Sequence, residues 1–398
     1  MTYTVSVEQA CDLVTDGTHY TPKDMGAGVP FLTVKDVSHG GLDFTNCSFI
    51  AQEEYGAARA GNSAPQRGDV LFSKDGTVGK VHVVKTDELF AVLSSLAILR
   101  PKQDRVDADY LGHALQSPNV LSDALKRKTG SAIRRIILSD LKQIRIFLPP
   151  LPEQRRIAAI LDKADALRAK RRAALAKLDT LTQSIFLDMF GDPATNGWEM
   201  TTVANVAAES KGAIRTGPFG SQLLHSEFTD AGIAVLGIDN AVENEFRWAA
   251  RRFVSEAKYR QLAQYTVHPG DVLITIMGTC GRCAIVPNDI HAAINTKHLC
   301  CITLNRTKCL PVFLHGYFLR HPLARAYLAR KAKGAIMDGL NMGIIKGMPI
   351  PLAPLELQQR FAQHLIAVND VKAAHRASLT QLDALFASLQ HRAFRGEL

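Results

Sequence analysis

Residues 148–161 read LPPLPEQRRIAAIL, and residues 352–365 read LAPLELQQRFAQHL. Each passes from an extended apolar segment through a proline break into the start of a helix. The two stretches lie 204 positions apart in a chain of 398 residues. A chain of that length exceeds one ordinary core, so two domains or two repeats is the prior.

The repeat extends outward from this pair. GVPFLTVKD, from Gly28, matches GIAVLGIDN, from Gly232, at an offset of 204. RGDVLFSKDGTVGK (67–80) matches PGDVLITIMGTCGR (269–282) at 202. TGSAIRRIILSDLKQIRIFLPPLPEQRRI (129–157) matches KGAIMDGLNMGIIKGMPIPLAPLELQQRF (333–361), again at 204. The anchors keep their order with slippage of only two residues, so the chain is two copies of one unit.

Each unit opens with short β-type runs punctuated by Gly, Pro, Asn and Asp. Val70–Phe72, Val272–Ile274, Val81–Val84, Ala91–Leu99 and Ile294–Leu304 are such runs, and helix is expected over Asp109–Leu115 and Phe313–Leu328. The expectation is a compact α/β or α+β domain. Then the character changes. Pro149, Pro150 and Pro152 break the chain, and Glu153 to about Phe190 is rich in Ala, Leu, Arg and Lys, with Gly191 and Pro193 as stop signals. Such a helix is about 55 Å long.

A helix that long must hide an apolar stripe. Steps of four and three from Ile157 reach Leu161, Ala164, Arg168, Arg171, Leu175, Leu178, Thr182, Ile185 and Met189. From Phe361 they reach Leu365, Val368, Lys372, His375, Leu379, Leu382, Phe386, Leu389 and Ala393. Both stripes are apolar at the ends and polar in the middle, where Leu167 and Val371 are expected to take over as the seam drifts. Two equivalent stripes predict an antiparallel pairing of the helices with each other. The competing reading packs each helix on its own domain.

Composition narrows the function. The net charge is +9 with 46% hydrophobic and 21% charged residues, a globular profile with a basic balance that suits a polyanion partner. No apolar run approaches a membrane span, and MTYTVSVEQACDLV lacks the pattern of a secretory signal, so a cytoplasmic location is the expectation. Seven cysteines argue against a disulfide framework. Cys280 and Cys283 have the spacing of a zinc or redox pair, but they replace Val78 and Val81 of the first half, which favours small buried hydrophobes. No P-loop, dinucleotide fingerprint, H-E-x-x-H, G-x-S-x-G or Asn/Asp-Pro-Pro-aromatic motif occurs. A binding or scaffolding role is favoured over catalysis.

Two features could hold phosphate. The GDVL strand runs into a Gly-rich loop, Gly76-Thr77-Val78-Gly79-Lys80 in one half and Gly278-Thr279-Cys280-Gly281-Arg282 in the other. Backbone N–H groups approach a ligand closely at glycine, and a trailing cation suits phosphate; a tight turn is the plainer reading. The densest basic stretch is Lys126–Arg135, matched by Arg330–Gly334 and Lys346. A solvated helix end is its plainer reading. The candidate phosphate contacts are Lys74, Lys80, Arg134, Arg135, Arg282 and Lys346, with the Gly76, Thr77, Gly278 and Thr279 backbone. Between the anchors the halves differ: DGTHY (16–20) faces TGPFGSQ (216–222). A shared frame with divergent loops suits the reading of two base sequences.

These marks together resemble the specificity subunit of Type I restriction–modification systems: DGTHYTP, GPFGSQL, GDVL…GT-x-G twice, LPPLPEQRRIAAIL with its long helix, and FGDP at 190–193. The resemblance covers essentially the whole chain. It implies two target-recognition domains (1–150 and 192–353) in tandem, separated by two long helices (151–191 and 354–398) that form an antiparallel coiled coil acting as a ruler. It implies double-stranded DNA read as two half-sites with a fixed spacer. It further implies docking of two methyltransferase subunits and association with motor-nuclease subunits. Adenine methylation and ATP-dependent cleavage, with S-adenosylmethionine, ATP and Mg, would belong to those partners, and this chain would carry no cofactor and no catalytic centre. Rival readings are a self-sufficient methyltransferase or nuclease, and a protein-binding scaffold. One departure is LELQQ at 355–359 where the first half has LPEQR at 151–155. It bears on whether both arms meet the methyltransferase equally.

Overall fold

A computed structural model describes residues 4–38, 41–127, 135–191, 196–248, 251–332 and 339–398. The chain forms two compact units, Met1–Arg172 with Arg376–Leu398, and Ala173–His375.

Unit 1 is built on strands β1 (Thr4–Ser6), β2 (Cys11–Asp16), β3 (Val29–Leu32), β4 (Val37–Ser38), β5 (Gly41–Leu42), β6 (Ser48–Ile50), β7 (Val70–Ser73), β8 (Val81–Val83), β9 (Ala91–Val92), β10 (Leu96–Pro101) and β11 (Arg145–Phe147). An antiparallel sheet has the order β2-β10-β7-β8, and a second has the order β6-β3-β9 with β3 and β9 parallel. Helix α1 (Ala108–Leu115) buries Tyr110, Leu111, Ala114 and Leu115 in the same core cluster as Val70 and Phe72. The first and last strands, β1 and β11, pair with each other. Helix α2 (Leu151–Phe190) follows.

Unit 2 repeats the plan with β12 (Met200–Thr202), β13 (Ile214–Thr216), β14 (Phe228–Thr229), β15 (Ile233–Leu236), β16 (Phe253–Val254), β17 (Val272–Thr275), β18 (Cys283–Ile285), β19 (Ala293–Asn295), β20 (Leu299–Ile302) and β21 (Pro349–Pro351). Its sheets have the orders β13-β20-β17-β18 and β14-β16-β15-β19, and β12 pairs with β21. Helices α3 (Pro311–Arg320) and α4 (Leu355–Ala393) complete the scheme.

Three expectations need correction. Ala91–Leu99 and Ile294–Leu304 are each two strands, because each run crosses from one sheet to the other through a turn. Leu96 N–H donates to Leu93 at that turn, and Leu299 N–H to Thr296. Phe313–Leu328 is two helices broken at His321, which stays extended before Pro322. The mid-seam of the long helices is not taken over by Leu167 and Val371, which are 43% and 46% exposed.

The long helices pair antiparallel within each unit. In unit 1, Arg156 donates to the carbonyl of Leu398, and Arg168 to Asp383. Ile157, Leu161 and Ala164 are buried, and Leu389 and Phe386 pack against the same core. In unit 2, the Phe186 and Phe361 rings meet edge to face at 5.3 Å. Ile185 and Leu365 pack on that core half-buried. The deepest contacts there are Phe186 and Phe190, one position beyond the stripe counted through Ile185 and Met189. Leu175 and Leu178 in unit 2, and Leu379 and Leu382 in unit 1, are half-buried.

Candidate nucleic-acid interface

In each unit the divergent loop and the Gly-rich loop leave from one end of the same sheet, β2-β10-β7-β8 in unit 1 and β13-β20-β17-β18 in unit 2. Asp16, the last residue of β2, lies opposite Ala97, and Ser73, the last of β7, opposite Leu96. In unit 2 Thr216 lies opposite Cys300 and Thr275 opposite Leu299. The DGTHY loop therefore starts beside the Gly-rich loop in unit 1, and TGPFGSQ beside its counterpart in unit 2.

A strand-end hydroxyl closes each Gly-rich loop. Ser73 Oγ donates to the Thr77 carbonyl (2.6 Å) and accepts from Lys80 N–H (2.7 Å). Thr275 Oγ1 does the same with Thr279 (2.5 Å) and Arg282 (2.9 Å). Only a hydroxyl is needed, so Ser and Thr exchange without changing the loop. Gly76 and Gly278 both sit in the left-handed region (φ +63° and +69°), the tight-turn geometry. With Thr77 and Thr279 they form exposed tips.

The cations separate into two groups. Lys74 is only 6% exposed, and its ammonium pairs with Asp16 at 2.6 Å. Lys80 donates its ammonium to the carbonyls of Val34 (3.0 Å) and Val37 (2.9 Å). Both charges serve contacts inside the domain, contrary to the expectation that they face phosphate. Arg282 is exposed, and its guanidinium has no hydrogen-bond or ion-pair partner among the described residues. Arg135 is exposed next to buried Ile136, and Lys346 is half-exposed in the last turn of the helix Met342–Lys346. Arg134 and the rest of 128–133, and 333–334 of the second basic stretch, lie outside the described residues.

Exposed aromatic side chains stand on the divergent loops, Tyr20 in DGTHY and Phe219 in TGPFGSQ, and Trp248 stands on a further loop that the sequence pattern did not single out. Tyr20 donates its hydroxyl to Glu54 (2.6 Å) and borders a cavity of about 430 Å³ lined by Asp16, Gly17, Thr18, His19, Ser63 and Leu138. Phe219 and Met277 are exposed in unit 2, as is Trp248, with the Arg251 guanidinium 5.8 Å from its ring. Asn244 Oδ1 accepts from Cys283 N–H (3.1 Å), which brings the Trp248 loop beside the Arg282 loop. The equivalent position in unit 1 is Phe44, packed edge-on against Phe90. The signal was the GIAVLGIDN anchor, which leads directly into this loop.

Behind the loops, matched residues tie each domain to its long helix. Gln154, fully buried, accepts from Asp107 N–H (2.9 Å) and donates to the carbonyls of Arg105 (2.8 Å) and Pro149 (2.7 Å). Gln358 accepts from Leu310 N–H (2.8 Å) and donates to Lys308 (3.1 Å) and Ala353 (2.8 Å). Tyr110 and Tyr317 each donate a hydroxyl to the closing strand, at Phe147 and Pro349 (2.7 Å each). The glutamine shared by LPEQR and LELQQ is thus a structural clamp, retained where the proline and acid are not.

All of the cysteines except Cys280 are buried small side chains; Cys280, expected to be buried with Cys283, is half-buried on the Gly-rich loop. Cys283, Cys300, Cys301 and Cys309 are fully buried, and desolvation pushes the thiols of Cys300 and Cys309 up to about 12. No group of three or more His, Cys, Asp or Glu that could hold a metal occurs among the described residues. No helix among them is long and apolar enough to cross a membrane.

The family described as Type I restriction modification DNA specificity domain matches residues 14–177 and 237–383. The EcoBI specificity subunit of a Type I restriction enzyme from Escherichia coli is 24% identical, over 93% of this chain and 80% of its own length. The putative MjaX specificity subunit from Methanocaldococcus jannaschii is 24% identical over 89% and 84%. The crystal structure of the Type I system S subunit from M. genitalium superposes with a TM-score of 0.57 at 15% identity, covering 98% of this chain and 95% of that one. With tandem copies of one recognition fold, paired long helices and a family match over both halves, the chain belongs to the Type I restriction–modification specificity subunits, the components that recognise the DNA target.

Proposed function

We propose that the chain reads a bipartite, asymmetric DNA site with a fixed gap, one half through each unit, and directs methylation and cleavage by partner subunits. The carrying observation is that both units present the same sheet end, closed by the same hydroxyl, with different exposed side chains around it. A constant frame with variable loops separates backbone positioning from base reading. The recognition domains would be residues 1–150 and 192–353, and the spacers 151–191 and 354–398. Arg282, Arg135, Arg134 and Lys346 would meet phosphates, together with the Gly76, Thr77, Gly278 and Thr279 backbone. Tyr20, Phe219 and Trp248 would add apolar contact to bases or sugars. Lys74 and Lys80 would act by shaping the loops. Two methyltransferase subunits and motor-nuclease subunits would supply S-adenosylmethionine, ATP and Mg chemistry from a cytoplasmic complex.

The test is a methylation map. The chain is expressed with its neighbouring methyltransferase subunit in a host lacking modification, and the DNA is sequenced by a method that detects methyl groups. A single two-part motif with one gap is the expected result, and exchanging the loops of one unit should change one half only. A soluble complex that leaves DNA unmethylated would favour the protein-binding scaffold instead.

A further inference from the structure

The middle of the helix pair is polar where an apolar stripe would normally continue. Lys372 is 5% exposed, and its ammonium lies 2.7 Å from Asp179 and 3.5 Å from Thr182 Oγ1. Arg168, largely buried, donates Nε to Asp383 (2.6 Å) and Nη1 to Asp165 (2.6 Å), and its guanidinium lies 4.3 Å over the Phe386 ring. The first contact is wholly within unit 2 and the second wholly within unit 1.

The two contacts are one contact written twice. Arg168 and Lys372 are 204 positions apart, and so are Asp179 and Asp383. Thr182, beneath Lys372, is likewise 204 positions before Phe386, beneath Arg168. Each arm therefore carries a cation and, eleven residues on, an acid, and each cation finds the other arm's acid. Eleven residues are three helical turns, which keeps both groups on one face. Leucine-rich stripes tolerate sliding, since one apolar neighbour replaces another. A buried cation does not, because a slip leaves it desolvated without its acid. In an antiparallel pair one slip breaks both ties at once.

We propose that Arg168–Asp383 and Lys372–Asp179 are matched register ties that select one alignment of the long helices, and through it the length of the gap in the recognised DNA site. This rests on the two-part reading proposed above. The four residues act by positioning and touch no DNA. A slip of one helical turn is about 5.4 Å against 3.4 Å per base pair, so a change in alignment would alter the gap by one or two base pairs.

The experiment compares methylation maps of complexes assembled with the full chain. In the apolar variant Arg168→Leu, Asp179→Leu, Lys372→Leu, Asp383→Leu, modification should spread over two or more gap lengths with both half-sites unchanged. In the exchanged variant Arg168→Asp, Asp383→Arg, Lys372→Asp, Asp179→Lys, with Asp165→Asn and Arg172→Gln to remove the like charges that would otherwise face the new pair, the wild-type gap should return as the single product. The inference is overturned if the apolar variant keeps one gap at the wild-type rate. It is equally overturned if the exchanged variant folds and spreads over several gaps. Should the apolar variant fail to assemble, the exchanged variant decides alone: one wild-type gap supports the ties, and loss of a defined gap refutes them. A wild-type map without any two-part motif would instead remove the functional reading on which the inference stands.

Discussion

The aspartate of the GDVL strand is buried in both units, but the two units hold it differently. In unit 1 Asp69 receives a two-pronged contact from Arg100 on β10 (2.9 and 2.8 Å). In unit 2 Asp271 is held by Arg215 on β13 (2.7 Å), with Thr303 donating at 2.7 Å. Ile98 and Cys301 are equivalent through their pairing with Leu71 and Leu273, so Arg215 stands where unit 1 has Thr15, and Thr303 where it has Arg100. The arginine and the threonine have exchanged neighbouring strands around an unmoved acid. What persisted between the copies is the charge beside the carboxylate, not the residue at a position. An unpaired buried carboxylate is costly enough that one change would require the other.

The strongest way to break this comparison is Arg215→Met. It leaves Asp271 buried and without its cation, at about 3–5 kcal/mol. Arg100→Met should cost less, because water reaches that side chain. The double variant Arg215→Thr, Thr303→Arg rebuilds the unit 1 arrangement in unit 2 and should recover most of the loss. Hydrogen exchange of the β17 amides, read against those of β7, measures this; equal losses in the two units would contradict it.

Acid should separate the units next. His315, beside the carbonyls of Asn244 and Cys283, is pushed down to about 4 by burial. His321 is also pushed down by burial; Nε2–H donates to Phe190 and Nδ1 accepts from Leu323. Both rings are neutral in the fold, so the unfolded chain binds protons first as pH falls. Their contribution is complete above the ordinary value near 6.5 and falls below it, for His315 being lost toward 4. For His315 this amounts to at most about 3 kcal/mol, discounted because the residue is half-buried rather than fully enclosed. Urea midpoints of unit 2 followed from pH 7 to 4.5 should fall, and His315→Gln should flatten the slope. A midpoint indifferent to pH in the parent chain would count against both rings.

The smallest effect sharpens the contrast between Lys80 and Arg282, which end the same loop. Arg282→Ala should weaken DNA binding at every sequence and lower the logarithmic salt slope by about one. Lys80→Ala should leave that slope in place, since its ammonium is already committed to Val34 and Val37. An unchanged slope for Arg282→Ala would remove it from the phosphate contacts.

Much of this architecture was legible because it is written in local pattern. The GDVL runs became β7 and β17, the unbroken stretch after Pro152 became a 40-residue helix, and the 204-residue offset carried both. Side-chain partners were not legible. Lys80 meets carbonyls 43 and 46 residues away, and Lys74 meets an acid on another strand, so composition alone could not show that these charges were engaged. The polar middle of the stripe was visible, but the pairing that keeps it inside is non-local. The expected drift of the seam then favoured Leu167 and Val371, which face water, over the counted Arg168 and Lys372, which stay inside. In the same way Phe186 and Phe190 are set by the aromatic cluster with Phe313 and Phe361 rather than by the count.

Gly17 and Gly217 open the two divergent loops under the same constraint. A Cβ on Gly17 would collide with the carbonyl oxygen of Val92, and one on Gly217 with that of Asn295, at the same place in the parallel strand. A few residues on, His19, Tyr20 and Thr21, and Phe219 to Gln222, are exposed. Mutation therefore meets a hard stop at the hinge and little resistance beyond it. Successive substitutions can rewrite what the loop presents while its point of departure stays put. A loop transplanted from a relative would start from the same fixed point, provided the graft is cut at the glycine rather than before it.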